Sequence, residues 1–341
     1  MNQTAFTNIG ERIDRIVATD IGSRGVIDTL YRVARDRQGK PLCLAAAEML
    51  LSQAVKGEPI LIATGWPDRP GVSVSIAESD GPVGAAALAR ALHRATGAIP
   101  VILIEEQLIP AMRAILQAAG LRVQSVDECR TASDYRAPVH AGAILPLPVD
   151  SEQAKASADS FFRQYTPTSV ISIEKGGQNS RGQISTSLGA DTTDSHGKAD
   201  YYMHAARAAG IPTIGIGDGG NELGMGAIQA DIRRLLRHGD QFAPAFEVDV
   251  LVAVAVSNWG AYGIAACIAA LSHNVEHFHD ARVEEAMLRA AAGAGLIDGI
   301  TGWVEPSVDG ISLPAQAAVV ELLSTIVRLG LKPNRSQSPL L

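Results

Sequence analysis

The sequence predicts an α/β fold: a doubly wound, mainly parallel sheet flanked by helices, with a helical N-terminal segment ahead of it. Three observations lead there. Short apolar runs of strand character alternate with segments of helical period from about residue 59 onward. The densest glycine stretch falls between one such run and a helix, the usual place for a ligand loop in this class. Apolar residues make up 47% of 341 and charged residues 19%, enough to bury a large core.

Taken in order, Glu11 to Val17, Val26 to Arg35 and Leu42 to Val55 repeat apolar residues at helical spacing. Pro59 to Thr64 (PILIAT) is the first strand and leads through a Gly/Pro-rich loop to a helix at Pro82–Thr96, with Pro82 in its first turn. Pro100 to Ile104 is a second strand, Leu108 to Ala119 a helix and Leu121 to Val126 a third strand, with Gly120 as the intervening helix cap. Asp127 to Asp150 carries no clear period, apart from a candidate strand at Ala141 to Leu147, and Ser151 to Tyr165 reads as a helix. Strand and helix then alternate again: Ser169–Ile173, Lys198–Ala209, Ile211–Ile216, Met225–Arg237, Val248–Val256 and Tyr262–Leu271. Helices at Ala281–Ala292 and Pro314–Leu329 close the pattern. Residues 1–331 are expected to form one α/β domain, with 1–57 packed on it as a helical segment and 332–341 as a loose tail.

Composition narrows the function. A net charge of -7 with no long basic run argues against a nucleic-acid platform. Cys43, Cys129 and Cys267 are odd in number and far apart, which fits neither a disulfide framework nor a zinc site and makes a reduced, cytoplasmic setting the simplest. The N-terminus lacks a signal-peptide apolar region, and no run reaches the roughly 18 apolar residues of a membrane span. A small anionic ligand would need its cations gathered at one pocket. A homo-oligomer is compatible with all of this.

Four strand-to-helix connections carry the polar residues. The first, Thr64 to Gly84, holds Thr64, Gly65, Glu78, Asp80, Gly81 and Gly84; Asp80 reads either as a helix cap or as part of an anion-holding turn. The second starts with Glu174-Lys175 and continues through glycines and amides. The third, Gly215 to Gly226, has six glycines in twelve residues and displays Asp218, Gly219, Gly220, Asn221 and Glu222. It is no Walker A loop and does not fit GxGxxG, so neither NAD nor haem is expected. The fourth is Ser257-Asn258-Trp259-Gly260-Ala261-Tyr262-Gly263, whose aromatics either wall a pocket or pack a strand exit. Arg233, Arg234, Arg237 and His238 fit a helix C-terminus. His277 and His279, in what reads as a surface loop, have ligand-like spacing, with core or surface roles the plainer alternative.

GIGDGGNELGMG (Gly215 to Gly226) resembles the signature stretch of the D-glutamate cyclase family, in particular the C-terminal domain of its eukaryotic members. The TG…ESDGPVGAAALARAL segment (Thr64 to Leu92), SIEKGG (Ser172 to Gly177) and VAVSNWGAYG (Val254 to Gly263) agree in order and spacing, and GITGWVEPSVDGI (Gly299 to Ile311) agrees more weakly. The family tends to show Glu-Arg where this chain has Glu174-Lys175. The resemblance implies a lyase that closes D-glutamate to 5-oxo-D-proline with loss of water.

For that reaction the strand-end residues divide as follows. Asp218 or Glu222 takes the ammonium proton. Lys175, with the backbone N–H groups of Gly219 and Gly220, neutralises the reacting carboxylate. Asn258 and the loop from Asp80 to Gly84 hold the α-carboxylate, and Glu174 is either the acid or the partner of Lys175. Thr64, Gly65, Asn221 and Ser257 complete the substrate set. Glu78, Asp80, Glu174, Asp218 and Glu222 offer oxygen ligands for a divalent cation, Mn²⁺ or Mg²⁺. Other readings are a phosphate-binding hydrolase or lyase, a pyridoxal-phosphate enzyme using Lys175, and a non-catalytic metabolite sensor.

Overall fold

The computed structural model describes residues 3–137 and 139–332; nearly all of the expected tail lies outside them. Among the described residues seven strands form one all-parallel sheet. They are β1 (Pro59–Thr64), β2 (Ile99–Ile104), β3 (Arg122–Val123), β4 (Ala141–Pro146), β5 (Val170–Ile173), β6 (Thr213–Gly217) and β7 (Val250–Ala253), in spatial order β3-β4-β2-β1-β5-β6-β7. The β1 and β2 side chains are buried on both faces, the mark of a sheet covered on both sides. The chain starts in the middle, winds out to one edge, then returns to lay β5 on the other side of β1. Thr64 pairs with Ile173 there, so the loops leaving β1 and β5 part at the point where the winding reverses. Ligands of doubly wound sheets bind in that crevice.

The helices are α1 (Gln3–Val17), α2 (Ile27–Gln38) and α3 (Leu42–Gln53) before the sheet, then α4 (Pro82–Thr96), α5 (Ile109–Ala118), α6 (Val126–Asp134) and α7 (Ser151–Gln164). α8 (Asp200–Ala208), α9 (Gln229–Leu235), α10 (Gly239–Phe242), α11 (Ser257–Leu271), α12 (Ala281–Gly293) and α13 (Leu313–Gly330) complete the set. α11 is apolar all round and buried from Ser257 to Ala270, because α1, α3, α4 and α13 enclose it. The helical N-terminal segment therefore shares one contiguous core with the sheet.

Four expectations change. The third strand shrinks to Arg122–Val123, since Ser125 starts α6: its hydroxyl accepts from the Glu128 N–H while the Glu128 carboxylate accepts from the Ser125 N–H. The helix expected from Met225 begins only at Gln229, after a short 3-10 turn. The fourth candidate loop is no loop, because Ser257 is already the first residue of α11. Finally, α13 is long and apolar enough to cross a membrane by length and composition. In the structure it packs Gln316, Ala317, Val320, Leu323 and Val327 inward against α1, α11 and α12.

Candidate active site

Two helix N-termini meet at the switch point, and each is capped by a residue of the other. The Asp80 carboxylate, one residue before Gly81 and α4, accepts the N–H groups of Ser257 (3.0 Å) and Asn258 (2.8 Å) at the start of α11. In return Asn258 Oδ1 accepts the N–H groups of Gly81 (2.9 Å) and Gly84 (2.6 Å) at the start of α4. Asn258 Nδ2 donates to the Ser79 carbonyl, so this side chain is spent on structure and does not reach a ligand. Both readings of Asp80 hold at once: it caps a helix and lines the pocket. Only glycine fits at Gly81, where φ is +93° and a Cβ would lie 2.8 Å from Glu174 Cβ and Thr64 Oγ1.

Glu174 leaves β5 with φ +44°, a left-handed backbone that is costly for a non-glycine residue. The turn aims its carboxylate at Ser257, whose hydroxyl donates to Oε2 at 2.5 Å. The next residue goes the other way. Lys175 is fully buried behind the pocket wall, with Nζ donating to Glu105 and to the Gly65 carbonyl (2.8 Å). Burial lowers its pKa, opposed by the charge of Glu105. Glu105 also accepts the Gly197 N–H. The structure thus gives Lys175 no contact with a substrate carboxylate, and its ammonium is committed where a Schiff base would need it free.

The glycine loop after β6 is organised by its own acid. Glu222 Oε1 accepts the N–H groups of Asp218 (3.1 Å) and Gly219 (2.5 Å), and Oε2 accepts that of Gly220 (2.8 Å). A Cβ on Gly217 would stand 2.7 Å from the Glu222 carboxylate, which explains the glycine there. These N–H groups are therefore unavailable to a substrate carboxylate or a phosphate, and Glu222 holds the loop. Asn221 Nδ2 donates to the Ser185 carbonyl. Asp218 is left projecting: Oδ1 meets Arg24 Nη1 at 2.9 Å, and Oδ2 is buried with no hydrogen-bond partner. The Thr64 hydroxyl is buried and unpartnered too.

Two site residues were missed by the sequence reading. Arg24 comes from the connection between α1 and α2, and Asp309, with φ +53°, from the connection before α13. Arg24 Nη1 also lies 3.4 Å from Asp309 Oδ2. No local pattern marks Arg24; Asp309 lies inside the weakly matching GITGWVEPSVDGI stretch, which was the one available signal.

The result is a pocket of about 440 Å³ lined by Arg24, Trp66, Glu78, Asp80, Glu174 and Asp218, with Asp309, Glu222 and the 186–190 loop around them. Burial, and then one another's charge, raises the carboxyl pKa values. Glu78 and Glu174 rise well above the usual range, and Asp80 goes up to about 8. Burial also raises Asp218, well above the usual range, and Asp309, both against the opposing pull of the Arg24 guanidinium. Oxygen atoms of Asp80, Asp218 and Asp309 lie within 4.8 Å of one another, as do those of Glu174, Asp218 and Glu222. Hard carboxylate donors at that spacing, with an unpartnered Asp218 oxygen among them, fit a divalent cation.

The remaining candidates fall elsewhere. Trp259 and Tyr262 are core residues of α11, bonded to Gln316 and Glu284. His279 is buried against Glu284 rather than in a surface loop, while His277 bonds Ser272 and Asn274, so the two do not converge on a metal. His196 packs edge-on against Trp66 at 4.5 Å, and burial drives its pKa down to about 3.

Comparison with known proteins gives the chain a family. Residues 13–324 match the family described as "D-glutamate cyclase-like, C-terminal". The chain is 27% identical over 307 residues to human "D-glutamate cyclase, mitochondrial", covering 87% of this chain but only 44% of the human protein. With the match spanning the sheet, both capping loops and the acid pocket, the chain belongs to the D-glutamate cyclase-like C-terminal family.

Proposed function

We propose that this protein closes D-glutamate to 5-oxo-D-proline in the acid pocket at the β1/β5 switch point, assisted by a divalent cation. The observation that carries the reading is the unlike surroundings of two buried carboxyls in one pocket. Burial and the neighbouring acids raise both pKa values well above the usual range, but Asp218 has the Arg24 guanidinium at Oδ1, which favours its ionised form, and an unpartnered Oδ2, whereas Glu174 is bonded by the Ser257 hydroxyl. Titratable pairs with unlike surroundings in one site are the usual sign of acid and base roles.

The stoichiometry needs such a pair. The substrate ammonium has three protons and the lactam nitrogen keeps one. Two must therefore reach the departing carboxylate oxygen, which leaves as water, with no net gain or loss of protons. Asp218 Oδ2 takes one from the ammonium, freeing the lone pair that attacks the side-chain carboxyl carbon. Glu174, oriented by the Ser257 hydroxyl, gives the departing oxygen one proton, and Asp218 passes on the one it took, so that the oxygen leaves as water and Asp218 is again ionised. The second ammonium proton, passed through the acid cluster, restores Glu174. Nucleophile and electrophile sit in one molecule, so a pocket that holds it curled gains part of the ~7–11 kcal/mol open to well-oriented intramolecular reactions. Asp80, Asp309 and the Asp218 oxygen that does not act as base would hold Mn²⁺ or Mg²⁺, which would supply positive charge for the carboxylate that must lose an oxygen.

The test is to incubate the protein with D- or L-glutamate, with Mn²⁺ or with a chelator, and to follow 5-oxoproline by chiral chromatography. Product from the D-isomer, lost on chelation, supports the reading. Absence of product from both isomers with the cation present sinks it.

A further inference from the structure

Among the described residues lining the pocket, the acids Asp68, Glu78, Asp80, Glu174, Asp218, Glu222 and Asp309 face a single basic side chain, Arg24. Other donors expected to grip a carboxylate are spent. Lys175 is sealed behind the wall, the Gly219 and Gly220 N–H groups serve Glu222, the first N–H groups of α11 serve Asp80, and the Asn258 amide bonds Ser79. Both acid contacts of Arg24 run through Nη1 alone, and neither Nε nor Nη2 carries a hydrogen bond. The side chain lines the pocket and is 31% exposed, so it is within reach of a ligand entering from solvent. Its backbone is fixed: the Asp20 carboxylate accepts the N–H groups of Arg24 (2.9 Å) and Gly25 (2.7 Å).

The two carboxylates that Nη1 touches, on Asp218 and Asp309, are also two of the three whose oxygens cluster with Asp80 within 4.8 Å. A cation held there and the guanidinium therefore compete for the same two carboxylates. We infer that Arg24 is the anchor for a substrate carboxylate, held in reserve by Asp218 and Asp309 until a divalent cation takes those carboxylates from it. The inference rests on the cation-assisted reading above. It gives the site an order: cation first, then the anionic substrate, gripped bidentately by a fork that the cation has released. Without the cation, the one group able to bind the substrate stays turned toward the protein's own acids. Linkage makes the effect reciprocal, so a bound substrate carboxylate tightens the cation by the same factor.

The experiment is Mn²⁺ titration followed by electron paramagnetic resonance, on the metal-free full chain and on Arg24→Met and Arg24→Lys, with KM for D-glutamate measured alongside. Arg24→Met should bind Mn²⁺ about ten- to a hundredfold more tightly, the span of common site-to-site couplings. Its KM should rise by a comparable factor. Arg24→Lys keeps the charge, so its Mn²⁺ affinity should stay within a few-fold of the original while KM rises, because an ammonium cannot fork a carboxylate. Arg24→Gln replaces Arg24→Met should the latter fail to fold. Equal Mn²⁺ affinity in the charged and neutral variants overturns the competition, and an unchanged KM in the neutral variant overturns the anchor. Should no form bind Mn²⁺, the cation reading falls and takes this inference with it. The titration needs no turnover, so failure of the cyclase reading alone leaves the competition standing.

Discussion

Removing one member of the Lys175–Glu105 pair separates a structural from a catalytic lysine. Both side chains are fully buried. In Lys175→Met, Glu105 keeps the Gly197 N–H but loses the ammonium, and the Gly65 carbonyl loses its donor. Breaking a buried ion pair from one side costs about 3–5 kcal/mol, because the other charge stays buried and uncompensated. A chain of 341 residues unfolds with an entropy near 0.7 kcal/mol/K at about 2.1 cal/mol/K per residue, so Tm should fall by about 4–7 °C. Adding Glu105→Leu removes the stranded charge and should return most of the loss. The assay is thermal unfolding by circular dichroism, with turnover measured on the same samples at a temperature where all are folded. The double variant should keep most of its turnover, since neither side chain lines the pocket. Wild-type stability in Lys175→Met together with lost turnover, or a double variant that is stable and inactive, would refute the structural assignment.

Three more outcomes follow from the capping network and the buried acids. Asn258→Ala strands the Gly84 N–H and leaves Gly81 only its bond to the Asp80 carboxylate, and should lower stability by about 1–3 kcal/mol, the cost of one buried unsatisfied donor, in urea unfolding. Glu222→Gln leaves one oxygen for three N–H donors and should cost about 1–3 kcal/mol, with turnover falling as the Asp218 loop loosens. The Asp80 carboxyl titrates near 8 in the fold against an ordinary value of 3.8, so the folded form holds its proton more tightly than the unfolded chain does. That contribution is full below about pH 4 and is lost as pH rises toward about 8. Metal-free Tm should therefore drop from pH 5 to pH 8, and the Tm gain from Mn²⁺ should grow over the same range. A flat or rising metal-free profile would contradict the protonated state of the pocket.

The parallel sheet was legible because its central strands are continuous apolar runs, and the polar connections after β1, β5 and β6 because glycine and acid stood together at strand ends. What local pattern could not supply is direction. Glu174 and Lys175 are neighbours in sequence, yet a left-handed residue sends one to the pocket and the other behind it. Asn258 looked like a ligand group and is a cap for α4, bonding Gly84 174 positions earlier in the chain, a contact visible only once α4 and α11 are packed. Arg24 and Asp309 reach the pocket from connections at opposite ends of the sequence. By contrast, the start of α6 was written locally, as Ser125 followed three residues later by Glu128, across the end of the expected third strand.

The most direct test of the account is Asp218→Asn, assayed beside the unaltered protein for 5-oxo-D-proline formation from D-glutamate at saturating Mn²⁺. Asparagine preserves the shape and removes the base, so turnover should fall by about 10²–10⁴-fold, the range expected for losing a general base. The folded state should persist, as judged by Tm. Unchanged turnover in a folded Asp218→Asn protein would take Asp218, and with it the proposed chemistry of the pocket, out of the reaction.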